Sequence, residues 1–143
     1  MTLNACTNQQ DKMKLEDIKE IWVYDYFNSM GYGVGGLVRK FQELENDTVA
    51  KFQLPSLFVD SLKNILIRSA IAKKLMPSKC GTNLIFAQFV MKDSSIRNII
   101  INSQGIVDYF VGYMTYFISD DKNKQDETLW VNNFYNRIRN KDF

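Results

Sequence analysis

The feature that most constrains the fold is a pair of apolar segments joined by a four-residue polar turn. Asn83 to Met91 is an almost unbroken apolar run, typical of a central β-strand that is buried on both faces. Lys92-Asp93-Ser94-Ser95 has the composition of a turn and leads into a second strand-like segment, Ile96 to Asn102. Parallel neighbours need a crossover of a dozen or more residues, so these two segments must pair antiparallel.

Further strands are predicted on both sides of this hairpin. Ser103-Gln104-Gly105 is a second turn, after which residues 106 to 118 predict one or two more strands around Gly112. Nearer the amino terminus, Ile18 to Phe27 is dense in β-branched and aromatic residues and predicts a strand, and Val49 to Leu54 predicts a short one. The second half of the sheet is therefore expected to be an antiparallel meander.

A helical period marks the segment that follows Pro55. One side of this segment repeats at intervals of three and four, which predicts one long helix; its members are Phe58, Leu62, Ile65, Ser69 and Ala72. Lys73 and Lys74 fall in its last predicted turn, where positive charge suits the helix dipole, and Pro77 ends it.

A second helix is predicted near the carboxyl terminus, where Trp130, Phe134 and Ile138 share one face. Residues 28 to 48 are compatible with helix, strand or loop. The order of elements predicts an α+β fold, in which an antiparallel meander sheet packs against two main helices.

Composition supports a domain that builds its own core. The chain has 143 residues, 45% of them hydrophobic and 24% charged, and a domain of this size buries roughly two-thirds of the surface its unfolded chain exposes. Residues 1 to 14 are polar and aperiodic, so we predict a flexible tether there and a single domain over residues 15 to 143. The net charge of +2, with basic residues interleaved among acidic ones, predicts no nucleic-acid surface.

The chain contains no histidine, the side chain whose unperturbed pKa lies closest to neutrality. Ser-His and Cys-His nucleophile pairs are therefore excluded, as are metal sites that require imidazole. Carboxylates, lysine, tyrosine and cysteine remain available for chemistry. Because no convincing constellation of these groups is recognisable, we expect a protein that is not an enzyme and that uses no cofactor and no metal.

A glycine-rich segment supports an alternative function. Gly31-Tyr32-Gly33-Val34-Gly35-Gly36 matches the pattern G-x-G-x-x-G and follows a predicted strand. In dinucleotide-binding folds, glycines at the positions of Gly31, Gly33 and Gly36 let the backbone approach a pyrophosphate at a helix amino terminus. The alternative is a nucleotide-binding domain or enzyme that uses this loop. The predicted antiparallel meander opposes it and favours a mobile loop.

Two groups of carboxylates are candidates for chemistry. The first group consists of Asp120, Asp121, Asp126 and Glu127, whose carboxylates are the oxygen ligands that calcium prefers. Because these residues lack the spacing of an EF-hand, we interpret them as part of a solvated loop and the start of a helix. Asp25 and Asp108 are flanked by aromatic residues and would form an acid–base pair if the fold placed them face to face. Outward-facing strand positions are the simpler interpretation of these two.

The first predicted strand carries an aromatic stripe. Alternation along the strand puts Trp22, Tyr24 and Tyr26 on one face. Such a stripe is most often part of a core, but when exposed it forms a recognition surface, because Trp and Tyr are enriched in interfaces. These three residues are the candidate binding surface.

Cys6 and Cys80 lie far apart and have neither the spacing of a metal site nor that of a redox motif. Cys6 is open to three interpretations: a free thiol on the tail, a disulfide with Cys80, or a lipid anchor. Leu3-Asn4-Ala5-Cys6, followed by a polar run, resembles the end of a bacterial lipoprotein signal. Only Met1 to Ala5 precede the cysteine, so the third interpretation expects the basic and apolar parts of the signal to lie upstream of Met1.

With this motif, the polar tether and the order of elements, the chain resembles small bacterial envelope lipoproteins with α+β domains, some of which are immunity proteins that neutralise toxins. The resemblance implies a domain in the periplasm or at the cell surface that touches the membrane only through Cys6. It also implies stoichiometric binding of a protein partner, a toxin in the immunity group. The resemblance offers no motif whose binding residues can be matched to positions in this chain. It also does not indicate an oligomeric state.

Overall fold

The computed structural model describes residues 13–28, 34–74, 83–102, 105–110, 113–119 and 134–143. A single 3-10 turn, Leu15–Asp17, precedes the first strand. In chain order the elements are β1 (Ile18–Asn28), α1 (Val34–Asn46), β2 (Lys51–Gln53), α2 (Ser56–Ser69), β3 (Ala70–Lys74), β4 (Leu84–Met91), β5 (Ile96–Asn102), β6 (Gly105–Phe110), β7 (Tyr113–Ser119) and α3 (Asn136–Arg139).

Across the described residues the strands form one seven-stranded sheet in the order β2-β1-β4-β5-β6-β7-β3. Every neighbouring pair is antiparallel. The run from β4 to β7 is the predicted meander, because the turns between these strands are too short for parallel crossovers. The predicted fold class is confirmed: the fold is α+β, with an antiparallel meander sheet packed against two main helices.

The face of the sheet that α2 covers, called here the first face, carries the larger core. Phe58, Leu62 and Leu66 recur along α2 at helical spacing and are buried against the sheet. Phe134 and Ile138 from the carboxyl-terminal segment pack into the same cluster. Burying an apolar side chain of this size contributes about 1.5–3 kcal/mol, so this cluster is a major source of stability.

The opposite face, called the second face, is covered by α1. Leu37, Phe41 and Leu44 form a stripe along α1 and pack on the sheet. The ring of Phe41 lies edge-on to the rings of Tyr24 and Phe86, at centroid distances of 6.3 Å and 5.2 Å. Leu84 to Ala87 of β4 are buried on both faces because a helix covers each one, whereas Gln88 and Val90 are only half-buried.

The first long helix ends earlier than its periodicity predicts. The helix α2 stops at Ser69, and Ala70–Lys74 form the edge strand β3, which pairs with β7. The prediction that Ala72, Lys73 and Lys74 continue the helix is therefore wrong. The edge of β7 offers backbone hydrogen-bond partners to this segment, and such tertiary pairing overrides a weak local preference for helix.

The two ends of the domain also differ in detail from expectation. Met13 is already buried in the first-face core, slightly before the predicted domain start at residue 15. The predicted carboxyl-terminal helix is observed over Asn136–Arg139, and Trp130 lies outside the described residues. The second main helix is α1, in the region that the sequence left open. Within the described residues, no helix has both the length and the apolar character needed to span a bilayer.

Candidate binding surface

Part of the second face lies beyond the cover of α1 and carries a row of amide side chains with one tryptophan. The register pairs Trp22 with Gln53 on one side and with Gln88 on the other, and Gln88 with Asn98. These four side chains therefore lie side by side across β2, β1, β4 and β5, and we call them the amide–tryptophan row. Gln53 and Asn98 are exposed, whereas Trp22 and Gln88 are half-buried.

Hydrogen bonds order the row. The Lys51 Nζ donates to Gln88 Oε1 over 2.9 Å, and Gln88 Nε2 donates to Asn98 Oδ1 over 3.2 Å. The indole N–H of Trp22 donates to Glu20 Oε1 over 3.0 Å. Because folding already restricts these side chains, less rotamer entropy is lost when a partner binds them.

A groove of about 160 Å³ lies beside the row, between α1 and β5. Its floor and walls are apolar and its rim is polar. The apolar lining consists of Leu37, Val38, Phe41 and Ile100, and the polar lining of Gln42, Glu45 and Asn98. Since Asn98 belongs to both the row and the groove, the two form one continuous surface.

The charge of this surface is unevenly distributed. Glu45 is the single charged residue among those that line the groove, and its side chain is exposed. Within the part of the chain that the structure describes, its carboxylate forms no ion pair. Burial, together with the negative charge of Glu45, raises the pKa of Tyr24, so this phenol stays protonated at neutral pH.

The structure places the three aromatic residues of the predicted stripe in different surroundings. Trp22 lies in the amide–tryptophan row. Tyr24 is only 2% exposed and packs beneath α1, so its ring supports the surface from within the core. Tyr26 is half-buried, with Lys40 Nζ 4.3 Å from its ring centroid and the Phe86 ring 6.0 Å away. One of the three aromatic residues is thus placed for recognition.

Sequence reasoning missed the amides of the row and the whole groove. A usable signal was Gln88, the one polar residue within the apolar run of β4. A polar side chain in a central strand indicates a position that is solvated or paired. Gln53 and Asn98 carry no such signal, because only the strand register aligns them with Gln88.

The glycine-rich segment is partly described. Gly31 and Gly33 lie outside the described residues, whereas Gly36 lies in the first turn of α1. The order of strand, glycines and helix matches a dinucleotide fingerprint, but α1 leads into β2, which runs antiparallel to β1. The dinucleotide-binding unit instead returns to a parallel strand, so the topology here differs from that fold.

The two candidate acids do not meet. Asp25 is on β1 and Asp108 on β6, with two strands between them, which corresponds to about 14 Å at the usual strand spacing. Asp25 is exposed, as predicted, and its carboxylate accepts from Lys141 Nζ at 3.1 Å. Asp108 is buried rather than outward-facing, and it pairs with the buried Arg97. The fold therefore forms no acid–base pair from them.

Burial raises the pKa of Asp108, and the Arg97 guanidinium offsets this effect only in part. Cys6, Cys80 and the acids Asp120, Asp121, Asp126 and Glu127 lie outside the described residues. The described ranges contain no group of three or more acidic or cysteine side chains arranged to hold a metal ion.

Comparison of the chain with protein-family models, with characterised proteins and with solved structures finds no significant match. The chemistry of the second face is therefore the basis for assigning a function.

Proposed function

We propose that this protein is a non-catalytic binding protein that recognises a protein partner through the amide–tryptophan row and the adjoining groove. We further propose that the partner is a toxin, which the protein neutralises by stoichiometric binding. The observation that carries the proposal is the position of Trp22, held by Glu20 within an ordered row on a part of the sheet that α1 does not cover.

The composition of the row suits a protein partner. Tryptophan is enriched among the residues that contribute most to protein–protein affinity. The flanking amides of Gln53 and Asn98 each offer both donors and acceptors, which match the backbone groups of a partner. Interface cores are also depleted in charged residues, and the charged neighbours of this row, Glu20 and Lys51, are hydrogen-bonded to its members. The sheet face and the groove beside it provide both contact area and a place for an anchoring side chain.

The proposal includes attachment to the cell envelope through a lipid on Cys6. Its support is the resemblance of Leu3-Asn4-Ala5-Cys6 to a lipoprotein signal and the polar run that follows. Mass spectrometry of the protein isolated from bacterial membranes is expected to find a diacylglyceryl group on Cys6, and Cys6→Ser should release the protein from the membrane fraction. A free Cys6, or a Cys6–Cys80 disulfide in a non-reducing peptide map, contradicts this part of the proposal.

Binding is tested with three baits against a source-cell envelope extract: the natural chain, Trp22→Ala, and the control Leu57→Ser. Leu57 is 82% exposed on α2, at the opposite side of the sheet. The expected result is one protein that is retained by the natural chain and by the control but lost from Trp22→Ala. With that protein purified, calorimetry should give a one-to-one complex, and truncation of Trp22 should weaken it by about 2 kcal/mol or more, roughly thirtyfold in Kd.

Trp22 is half-buried, so its truncation also affects stability, and a second variant separates the two effects. Asn98 is exposed, and Asn98→Trp fills the mouth of the groove while leaving the core unchanged. We expect it to abolish binding with little change in the unfolding midpoint. A partner that binds all four proteins equally well refutes the proposed surface.

The nucleotide-binding alternative is tested separately. The strand–glycine–helix order around Gly36 favours it, and the antiparallel β2 opposes it. A ligand that binds only the folded state raises the unfolding midpoint by mass action. Millimolar ATP, GTP or NAD should therefore leave the midpoint unchanged if the protein acts only as a protein binder, and a clear rise with any of them supports the alternative.

A further inference from the structure

We infer that the groove between α1 and β5 receives a single arginine side chain of the partner. The inference rests on the proposed function and deepens it, because it names the group that the partner must present. It is carried by the charge of the groove, by its apolar floor and by its size.

The charge argument concerns Glu45. Its exposed carboxylate is the single charge among the groove-lining residues and has no ion pair within the described residues. Two lysines on the second face have other partners: Lys40 Nζ lies 3.4 Å from Glu43 Oε2, and Lys51 donates to Gln88. An acidic group at the rim of an interface selects a cationic partner, since opposite charges both guide association and exclude wrong partners.

The shape argument concerns the floor. Phe41 and Ile100 are buried beneath the groove, so its lower part is apolar while Glu45 stands at its rim. Arginine and lysine lay their aliphatic stems along apolar surface and keep their charged heads near solvent. An arginine or lysine side chain can therefore lay its aliphatic stem on the apolar floor of the groove and bring its charged head to Glu45 at the rim.

The rim favours arginine over lysine. A guanidinium carries five N–H donors in a planar fork, whereas an ammonium is a compact point charge. Glu45 supplies carboxylate oxygens, and the amides of Gln42 and Asn98 supply further acceptors. The Asn98 Oδ1 accepts one hydrogen bond from Gln88 and, as a carbonyl oxygen with two lone pairs, can accept another. Several acceptors around one site suit a donor with several N–H groups.

The size of the groove favours a single side chain over a larger ligand. The groove measures about 160 Å³, whereas pockets for drug-sized molecules run to about 300–1,000 Å³. The space is sufficient for one side chain.

The test uses the full chain, labelled with ¹⁵N, and three small probes followed by NMR. Nα-acetyl-arginine methylamide is the arginine probe, the corresponding citrulline derivative is a neutral analogue of the same shape, and the norleucine derivative is purely apolar. The arginine probe should shift the backbone amides of Val38, Gln42 and Asn98 and saturate. The two neutral probes should bind at least tenfold more weakly, and added salt should weaken only the arginine probe.

A matched pair of variants assigns the charge. Glu45→Gln should weaken the arginine probe to the level of the citrulline probe, whereas Asp60→Asn, which removes an exposed carboxylate on α2 at the opposite side of the sheet, should leave it unchanged. The inference is overturned if the arginine probe does not bind, if a neutral probe binds equally well, or if the two variants behave alike.

The purified partner then separates this inference from the proposed function. Glu45→Gln and Trp22→Ala should both weaken the complex if both are correct. If Trp22→Ala weakens it and Glu45→Gln does not, the binding surface is retained and the arginine contact is overturned. If neither variant affects the complex, the proposed surface itself fails.

Discussion

The buried ion pair between Arg97 and Asp108 permits a quantitative test of the structure. The two side chains lie on adjacent strands and are 7% and 3% exposed, and Arg97 Nε donates to Asp108 Oδ1 over 3.1 Å. We expect Asp108→Asn to destabilise the protein by about 3–5 kcal/mol, because it leaves the buried guanidinium without its carboxylate. That loss is a large part of the roughly 5–15 kcal/mol that stabilises a typical domain.

The reciprocal change should depend on pH. Arg97→Met leaves a buried carboxylate, which can regain neutrality by taking up a proton, so the pKa of Asp108 should rise further above its ordinary value. Below the unfolded pKa the carboxyl group is neutral in both states and the penalty is smallest. As the pH rises toward the folded pKa, the unfolded chain ionises first and the folded state loses about 1.4 kcal/mol of stability per pH unit.

Urea denaturation at pH 5 and pH 7.5 measures both effects. Between these pH values the free energy of unfolding of Arg97→Met should fall more than that of the natural chain, by about 1.4 kcal/mol for each unit by which the substitution raises the pKa of Asp108 within this range. The double change Arg97→Met with Asp108→Leu should be neutral or stabilising by about 1–4 kcal/mol, because the desolvation penalty disappears with the charges. A cost below about 1 kcal/mol for Asp108→Asn, or an Arg97→Met penalty that is equal at both pH values, refutes the reasoning.

Two further changes test the packing of α1 and the turn that ends it. Phe86 is fully buried under α1, so Phe86→Ala should lower the free energy of unfolding, measured in urea, by about 3–5 kcal/mol. Ile96 is 58% exposed, so the control Ile96→Ala should change it by no more than about 0.5 kcal/mol. Equal losses from the two variants contradict the assigned core. Thr48 follows α1 with a φ of 49°, a left-handed conformation that costs a residue with a Cβ about 1–2 kcal/mol. Thr48→Gly should therefore raise the unfolding midpoint, because glycine adopts this φ without strain. If Thr48→Ala raises the midpoint equally, relief of backbone strain is not the cause.

The sequence determined the central strands with good accuracy. The strand predicted over Ile96 to Asn102 is observed with those bounds, and the run predicted from Asn83 is β4, which begins at Leu84. These segments were predictable because apolar composition, strand propensity and short polar turns all indicate the same local structure. The antiparallel meander followed directly from the lengths of the turns.

The sequence was less informative where an element depends on a distant neighbour. The backbone of Ala70–Lys74 forms a strand because β7 presents a free edge, a fact that no local period contains. The helical conformation of Val34–Asn46 was left open, since its glycine-rich start weakens helix propensity and packing on the second face provides the stabilisation. The lipid on Cys6 stays a prediction.

The sequence by itself determined the fold class, the meander and the common face of Trp22, Tyr24 and Tyr26, because alternation and turn length are local properties of the chain. Only the tertiary structure decided that α1 covers two of these aromatic rings and leaves the third beside exposed amides. The register between strands likewise decided that Gln53 and Gln88 lie next to Trp22, and Asn98 next to Gln88. Coverage and register depend on how whole elements pack against one another, and the spacing of residues along the chain does not encode that.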